Sequence, residues 1–218
     1  MDCMQGMKEF PDKYFDLAIV DPPYGIGENG DKNHTRGKLA KAKDYKAFSG
    51  NDIEPPDKEY FDELFRVSKN QIIWGANHFI SKIPYDSSCW VVWDKDNTGD
   101  FADCELAWTS FDSAVRKFKY RWNGMLQENM KNKENRIHPT QKPVALYEWL
   151  LSKYAKPNDI ILDTHVGSAS SLIACYNTNH KFVGFELDEY YYKVSKQRLD
   201  TEMAQMRLSD FMGNTERK

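Results

Sequence analysis

The 218-residue sequence contains no apolar run that approaches the roughly 20 residues required to span a membrane. It also lacks the basic and apolar leader of a secreted protein, so we expect a cytoplasmic chain without a membrane partner. It has only four cysteines, and no two of them are close in sequence: Cys3, Cys89, Cys104 and Cys175. Neither a disulfide framework nor a zinc site fits this spacing, which predicts reduced thiols and no bound metal.

Two patterns related to nucleotides and nucleic acids are also absent. The sequence has no complete Gly-x-Gly-x-x-Gly fingerprint, which disfavours a dinucleotide cofactor. Residues 123–136 are polar and irregular, and they contain neither a helix-turn-helix nor a zinc-finger pattern. If this segment recognises a nucleic acid, it does so without one of these common modules.

A large excess of charge of one sign is missing as well, because the formal net charge is only −3. The basic residues are nevertheless concentrated in two segments. Residues 31–46 hold six Lys or Arg against two acids, and residues 115–142 hold eight against two. Phosphate contacts depend on the local surface rather than on the total charge. These segments therefore either contact a nucleic acid or form ordinary solvated faces.

The most informative stretch is Asp21-Pro22-Pro23-Tyr24, which follows an apolar run over residues 15–20. The run predicts a buried strand, and the tetrapeptide lies at its carboxyl end, where open α/β sheets bind ligands. Proline has no backbone N–H, so the neighbouring carbonyl groups are free to accept hydrogen bonds. An acid, free carbonyls and an aromatic ring suit a planar group with an amine, such as a nucleobase. The tetrapeptide alone is equally compatible with a simple turn.

Both basic segments contain candidate phosphate contacts. The first follows Tyr24 with little hydrophobic periodicity, which indicates either a basic lid or plain disorder. Residues 117–122 alternate strictly, with Phe118, Tyr120 and Trp122 on one face and basic residues on the other. That basic face either meets phosphates or protects an exposed edge strand. The candidate nucleic-acid contacts are Lys32, Arg36, Lys38, Lys117, Lys119 and Arg121.

A second nucleotide-type unit follows near the end of the sequence. A predicted strand ends in Asp163, and a turn of small residues links it to a helix over residues 171–176. The next strand, over residues 181–185, is followed by Glu186. This acid stands 23 residues after Asp163, where a carboxylate can bind the two hydroxyls of a ribose.

The segment His138-Pro139-Thr140-Gln141-Lys142-Pro143 precedes this unit and leads into a predicted helix over residues 144–151. Its prolines suit the first turn of a helix. Thr140 and Lys142 lie near the helix N-terminus, where they could hold a carboxylate.

The strand and helix patterns together predict one α/β domain. We expect a mostly parallel twisted sheet with an antiparallel edge hairpin and with helices on both faces. The hairpin consists of a strand over residues 89–93 and a partner strand that starts at residues 105–108. A turn at residues 97–100 joins the two.

These motifs, in this order, resemble the S-adenosylmethionine-dependent amino-methyltransferases of DNA, in the arrangement called the beta group. Asp21-Pro22-Pro23-Tyr24 is similar to the catalytic tetrapeptide of that family, and residues 138–143 are similar to the segment before its cofactor half. Residues 163–170 correspond to its cofactor loop and residues 182–186 to its ribose-binding strand. The resemblance implies a single domain with a Rossmann-like methyltransferase fold. Its implied parts are a catalytic half at 1–110, a small DNA-recognition segment at about 111–137, a cofactor-binding half at 138–200 and a polar tail at 201–218.

The resemblance implies methyl transfer from S-adenosylmethionine to the N6 amino group of adenine in double-stranded DNA, with the base flipped out. Asp21 and the carbonyl of Pro22 would accept the amine hydrogens, and the base would stack on Tyr24. Asp2 is similar to the acid that contacts the cofactor's adenine. The implied catalytic residues are Asp21, Pro22, Pro23 and Tyr24. The implied cofactor-binding residues are Asp2, Thr140, Lys142, Asp163, His165, Gly167, Ser168 and Glu186.

Two other functions fit the same residues: methylation of cytosine N4, and DNA binding without turnover. In this family, members that methylate cytosine usually have Ser before Pro-Pro-Tyr. The Asp21 of this chain therefore favours adenine as the substrate. Methylation of an RNA base or of a glutamine side chain is disfavoured. Those relatives carry Asn before Pro-Pro-Tyr and place it after the cofactor half.

Two features depart from the family. Relatives usually carry Asp-Pro-Phe and then Gly-Ser-Gly in the cofactor loop, where this chain has Thr164, His165 and Ala169. No strand precedes Asp2, which suggests a start that is trimmed or internal to a longer reading frame. Both features predict weaker cofactor binding rather than another reaction. Relatives often form homodimers and some accompany a restriction endonuclease, and the sequence decides neither partner.

Overall fold

The fold is organised around a seven-stranded sheet in the computed structural model, which describes residues 1–27, 46, 52, 54–97, 102–123 and 126–205. The predicted contacts Lys32, Arg36 and Lys38 lie outside the described residues, as do most of the predicted basic lid and of the polar tail. The strands are β1 (Phe15–Val20), β2 (Ser68–Trp74), β3 (Trp90–Asp94), β4 (Cys104–Thr109), β5 (Arg116–Lys119), β6 (Trp122–Asn123), β7 (Leu126–Gln127), β8 (Ile160–Asp163) and β9 (Lys181–Gly184). The helices are α1 (Cys3–Met7), α2 (Lys58–Val67), α3 (Val144–Tyr154), α4 (Ser170–Asn177) and α5 (Glu189–Ala204).

The strands of the main sheet lie in the order β5-β3-β4-β2-β1-β8-β9, and β6 and β7 form a small separate sheet. β1 pairs in parallel with β2 on one side and with β8 on the other, and β8 pairs in parallel with β9. β4 runs antiparallel between β2 and β3. The predicted sheet, mostly parallel with an antiparallel hairpin, is therefore confirmed.

The edge of the sheet differs from the prediction. β5 pairs in parallel with the outer hairpin strand β3, so β5 lies outside the hairpin and forms this edge. The strand predicted over residues 117–122 is divided, because β5 ends at Lys119 and Trp122 belongs to the small sheet. Trp122 is buried, and its indole N–H donates to the carbonyl oxygen of Gln141 at 2.7 Å. This burial draws the chain away from the edge of the main sheet.

Helices cover both faces of the sheet, as the sequence predicted. Because side chains alternate along a strand, β1 contributes Ala18 and Val20 to one face and Leu17 and Ile19 to the other. The first face packs against α1 and α2, and the second packs against α3 and α4. Burial on both faces explains why the apolar run of β1 is nearly continuous.

One edge of the sheet collects polar side chains from both halves of the chain. The parallel strands β1, β2, β8 and β9 all end there, which places Asp21, Asp163 and Glu186 at the same edge. The antiparallel strand β4 begins at this edge, so Glu105 near its start joins them. β3 runs antiparallel to β4 and ends here, followed by Lys95. The topology thus assembles the candidate site.

All four cysteines are free thiols; Cys89 and Cys175 are buried and Cys104 is exposed. Within the described ranges, no cluster of three or more His, Cys, Asp or Glu side chains is arranged to hold a metal ion. None of the helices in the described part of the chain combines the length and the apolar character needed to cross a membrane.

Candidate active site

Asp21 and Tyr24 form the centre of the site, directly after β1. The Tyr24 hydroxyl donates a hydrogen bond to Asp21 Oδ1 at 2.7 Å. The Tyr24 ring stacks on His78, with the ring centroids 5.2 Å apart and the planes inclined by 14°. Gly75 lies against the same ring, and a Cβ atom at this position would collide with it. The hydroxyl, His78 and Gly75 together fix the orientation of the Tyr24 ring.

Lys142 is the direct partner of Asp21. Its ammonium group lies 2.5 Å from Asp21 Oδ2, 3.1 Å from Glu105 Oε2 and 3.1 Å from the Tyr24 hydroxyl. Only 4% of the Lys142 side chain is exposed. The sequence suggests that Lys142 holds a carboxylate, and in the structure its ammonium group lies between the carboxylates of Asp21 and Glu105; a contact with the cofactor stays a prediction. The turn before α3 brings it across the sheet edge.

Glu105 and Lys95 belong to the same cluster, and the sequence did not single them out. Lys95 forms an ion pair with Glu105 Oε1, and both side chains are about four-fifths buried. The signal was an acid at the start of an apolar strand, residues 105–108. Recognising its meaning required the antiparallel register that turns the start of β4 toward Asp21.

The charges of the cluster depend on one another. Burial opposes ionisation of Glu105, but Lys142 and Lys95 outweigh it and hold the pKa of this carboxyl at about 2. Burial raises the pKa of Asp21; Lys142 opposes the rise and Glu105 adds to it. Burial also disfavours the ammonium group of Lys142, yet the two carboxylates raise its pKa above the usual value. Asp21 is therefore the more basic of the two carboxylates.

Asp163 is the last residue of β8, in the part of the chain predicted to bind the cofactor. Its Oδ1 accepts the backbone N–H of His165 at 2.9 Å, and its Oδ2 accepts the Ser171 hydroxyl. Burial raises the pKa of Asp163 to about 7, although both hydrogen bonds favour the charged form. Burial also lowers the pKa of His165 to about 4, so this imidazole is neutral. The loop after β8 therefore has a titrating carboxyl group and an uncharged ring.

Glu186 closes the same loop from the end of β9. Its Oε2 accepts the backbone N–H of Gly167 at 2.8 Å, and its Oε1 accepts the N–H of Asp188 at 2.9 Å. A carboxylate has about four acceptor positions, so both oxygens can still accept hydrogen bonds from the hydroxyls of a ribose. Gly167 has a φ of 53°, the left-handed conformation that glycine adopts without strain. The carboxylate acceptors beside this loop fit the hydroxyls of a nucleoside.

The other cofactor candidates have different neighbours. Asp2 caps α1 by accepting the backbone N–H of Gln5 at 3.1 Å. The terminal ammonium group of Met1 donates to the Glu186 carbonyl oxygen at 2.6 Å, which places Asp2 beside the cofactor loop. Thr140 is exposed, and its hydroxyl shares a hydrogen bond with His138. Ser168 is buried, and its hydroxyl shares a hydrogen bond with Ser170.

The catalytic and cofactor candidates meet across two adjacent strands. β1 and β8 pair in parallel, with Leu17 opposite Ile161. Continuing this register places Asp21 beside the loop that follows Asp163, and neighbouring strands are only about 4.8 Å apart. The Tyr60 hydroxyl, from α2, also shares a hydrogen bond of 2.6 Å with Thr164 in that loop. The catalytic and cofactor candidates therefore meet at the same edge of the sheet.

The basic residues of β5 and the segment after it are exposed but paired. Lys117 forms an ion pair with Asp94, and Lys119 and Arg121 form ion pairs with Asp96. On the opposite face the Phe118 ring packs on Trp149 of α3. The alternation predicted from the sequence is present over β5, and the two aspartates offset much of its positive charge. Contact of these residues with nucleic acid stays a prediction.

Replacement of Asp163 by Asn is expected to stabilise the ligand-free protein at neutral and alkaline pH. The folded-state pKa of Asp163, about 7, lies above the roughly 3.9 of an unfolded Asp. Its contribution to stability is therefore complete below the unfolded value and is lost as the pH rises toward 7. Asn resembles the neutral carboxyl group and can still bond to His165 and Ser171. Melting temperatures should coincide at pH 4 and differ by several degrees, in favour of Asp163→Asn, at pH 8. Equal melting temperatures at both pH values would contradict the raised pKa.

Comparison with known proteins assigns the family. Residues 73–197, more than half of the chain, match the profile of a family described as DNA methylase, the N6/N4 methyltransferase family. M.HpaI, a type II methyltransferase of Haemophilus parainfluenzae, is 25% identical over 244 residues, which cover 92% of this chain and 73% of the relative.

Two solved structures share the fold. The complex of M1.HpyAVI with S-adenosylmethionine superposes with a TM-score of 0.54 at 22% identity and covers 90% of this chain and 96% of its own. The cytosine-N4-specific PvuII DNA methyltransferase gives a TM-score of 0.58 at 12% identity, with 93% of this chain and 88% of its own covered. The predicted Rossmann-like methyltransferase fold is therefore confirmed. With the family profile matched over more than half of its length, the chain belongs to the N6/N4 DNA methylase family.

Proposed function

We propose that the chain transfers a methyl group from S-adenosylmethionine to the N6 amino group of adenine in double-stranded DNA. The observation that carries this proposal is the environment of Asp21. Its carboxylate lies at the sheet edge shared with the cofactor loop, and burial keeps it more basic than its neighbour Glu105. A basic acceptor next to the amine can take its hydrogen and so make the nitrogen more nucleophilic.

The amino group of adenine reacts poorly because its lone pair is delocalised into the ring. In the proposed reaction Asp21 and the Pro22 carbonyl accept its two hydrogens, which favours tetrahedral geometry at nitrogen and localises the lone pair. S-Adenosylmethionine, when bound, supplies an electrophilic methyl group. Alignment and charge complementarity in the crevice then account for most of the rate.

The residues of the cofactor half suit this cosubstrate. Glu186 has acceptor positions left for ribose hydroxyls, and Gly167 lets the backbone approach a ligand closely. Asp163, His165 and Ser168 belong to the same loop. Asp2 and Thr140 are proposed to complete the site with them. Lys142 is proposed to act on the catalytic side, because its ammonium group is already bound to Asp21 and Glu105.

A base within a duplex cannot reach Asp21, so it must leave the helix. Tyr24 is proposed to stack on the flipped base. His78 already stacks on this ring, so the base would either displace His78 or stack on the other face. The paired basic side chains of β5 are proposed to exchange Asp94 and Asp96 for DNA phosphates.

Cytosine N4 is the second candidate substrate. The PvuII enzyme, which is specific for cytosine N4, shares the fold of this chain. Both target amines are exocyclic and conjugated, and Asp21 could accept hydrogens from either. We favour adenine because the tetrapeptide of this chain begins with Asp21 and not with Ser.

The test identifies the methylated nucleoside. The purified protein is incubated with S-adenosylmethionine that carries a deuterated methyl group and with DNA from a host without methylases, and the digested nucleosides are analysed by mass spectrometry. We expect labelled N6-methyldeoxyadenosine. Labelled N4-methyldeoxycytidine would support the second candidate instead. Absence of label, with binding of DNA but not of S-adenosylmethionine by calorimetry, would indicate a DNA-binding protein without turnover.

A further inference from the structure

Glu105 and Lys95 are half of a buried charge cluster, yet neither belongs to the motifs that resemble the methyltransferase family. The cluster contains two carboxylates and two ammonium groups in the linear order Lys95, Glu105, Lys142 and Asp21. Burying four charges is costly, and well-packed apolar side chains in their place often leave a protein as stable or make it more stable. Its presence at the reacting edge of the sheet therefore calls for a functional reason.

The contacts of Lys142 indicate that reason. An ammonium group has three N–H donors. Lys142 directs them toward Asp21 at 2.5 Å, Glu105 at 3.1 Å and the Tyr24 hydroxyl at 3.1 Å. Without Glu105, the positive charge of Lys142 would be balanced by Asp21 alone. The Asp21 carboxylate would then be a weaker acceptor for any further donor.

We propose that Glu105 is a positioning residue for methyl transfer: it shares the ammonium group of Lys142 and so leaves Asp21 able to accept the hydrogens of the substrate amine. Lys95, on the far side of Glu105, limits this effect by neutralising part of the Glu105 charge. The inference rests on the proposed methyltransferase function. It adds Glu105 on β4 and Lys95, which follows β3, to the residues that act on Asp21.

Charged and titratable groups from several elements face Asp21. They are Lys142 before α3, Glu105 on β4, Tyr24 in the loop after β1, Tyr147 on α3, Tyr60 on α2 and Asp163 on β8. Burial keeps the three tyrosines neutral, because it raises the pKa of each well above the usual value. Asp163 titrates near neutral pH, so every variant must be compared with the wild type in the same buffer series. Glu105 and Lys142 are the permanent charges closest to Asp21.

The experiment compares substitutions that change the charge next to Asp21 in opposite directions. Glu105→Gln removes a negative charge, so the pKa of Asp21 should fall by about one unit. Lys95→Met removes a positive charge, so the same pKa should rise. Glu105→Asp retains the charge, so the pKa of Asp21 should fall less in this variant than in Glu105→Gln. Glu63→Gln is the matched control, because Glu63 also forms a largely buried ion pair, with Arg66, at a distance from this cluster.

Two readouts are used on the full-length chain. The first is the pH dependence of kcat for methyl transfer to the DNA site that the wild type modifies. We expect the acid limb to move to lower pH in Glu105→Gln, with a several-fold loss of kcat at the plateau, and to higher pH in Lys95→Met. The second is titration of the Asp21 carboxyl carbon by ¹³C NMR in protein labelled at aspartate, with the signal assigned from Asp21→Asn.

The outcomes separate this inference from the proposed function. Opposite shifts in Glu105→Gln and Lys95→Met, in both readouts, support the inference, because a merely structural role would not change sign. Shifts of the same sign, or no shift, overturn it. If the wild type methylates no DNA, the proposed function fails, and the NMR titration still decides whether Glu105 sets the basicity of Asp21.

Discussion

Replacement of Asp21 by Ala is expected to lower kcat for DNA methylation by about 10²–10⁴-fold, the usual contribution of a positioned acid or base. Asp21 accepts the hydrogen bond of the Tyr24 hydroxyl, and burial raises its pKa, whereas Lys142 and Lys95 hold the pKa of the neighbouring Glu105 low. Affinity for S-adenosylmethionine should be nearly unchanged, because Glu186 and Gly167 remain. Calorimetry with the cosubstrate and single-turnover methylation measure the two effects separately.

Asp21→Asn serves as the isosteric companion of Asp21→Ala. Both variants should fold, because Lys142 keeps Glu105 as a buried counter-ion. Asn retains one carbonyl oxygen but presents N–H donors where the amine needs an acceptor, so it should be as inactive as Ala. Retention of more than a few per cent of wild-type activity in either variant would refute the assignment of Asp21.

Replacement of Gly75 by Ala is expected to remove most activity and to destabilise the protein by about 3 kcal/mol, the sum of overpacking and left-handed strain. The new Cβ atom would overlap the Tyr24 ring, which His78 prevents from moving freely. Displacement of the ring breaks the hydrogen bond from the Tyr24 hydroxyl to Asp21. The melting temperature and kcat should therefore both decrease.

Gly167→Ala is the control for the stability part of this prediction. Gly167 also has a positive φ, 53° against 67° for Gly75, but its added Cβ would come no closer than 3.8 Å to a neighbour, His138. It should cost only the left-handed strain of about 1 kcal/mol. Equal destabilisation by the two alanines would show that the Tyr24 ring yields easily and that Gly75 does not hold it.

The parts of the fold that could be predicted from sequence are those written in local patterns. The apolar run of β1 before Asp21 and the strand-turn-helix unit after Asp163 appear where they were expected. Each of these features depends on residues close together in the chain.

The parts that could not be predicted depend on register between distant strands. Glu105 reaches Asp21 only because β4 runs antiparallel beside β2, so that its first residues lie at the carboxyl edge of the parallel strands. The position of Lys142 before a helix suggests a contact with a carboxylate, but only the sheet order shows that Asp21 supplies one. No local pattern contains this information. The same reason explains why β5 rather than the hairpin forms the sheet edge.

A crystal structure with DNA tests most directly whether Asp21 accepts a hydrogen bond from the amine of a flipped adenine. The duplex would carry the site mapped for the wild type, and an unreactive analogue would replace S-adenosylmethionine. We predict an adenine outside the helix, stacked on Tyr24, with its N6 within about 3 Å of Asp21, the usual hydrogen-bond distance. A base that stays in the duplex, or whose amine is held by other residues while Asp21 remains bound only to Lys142 and Tyr24, would contradict the account.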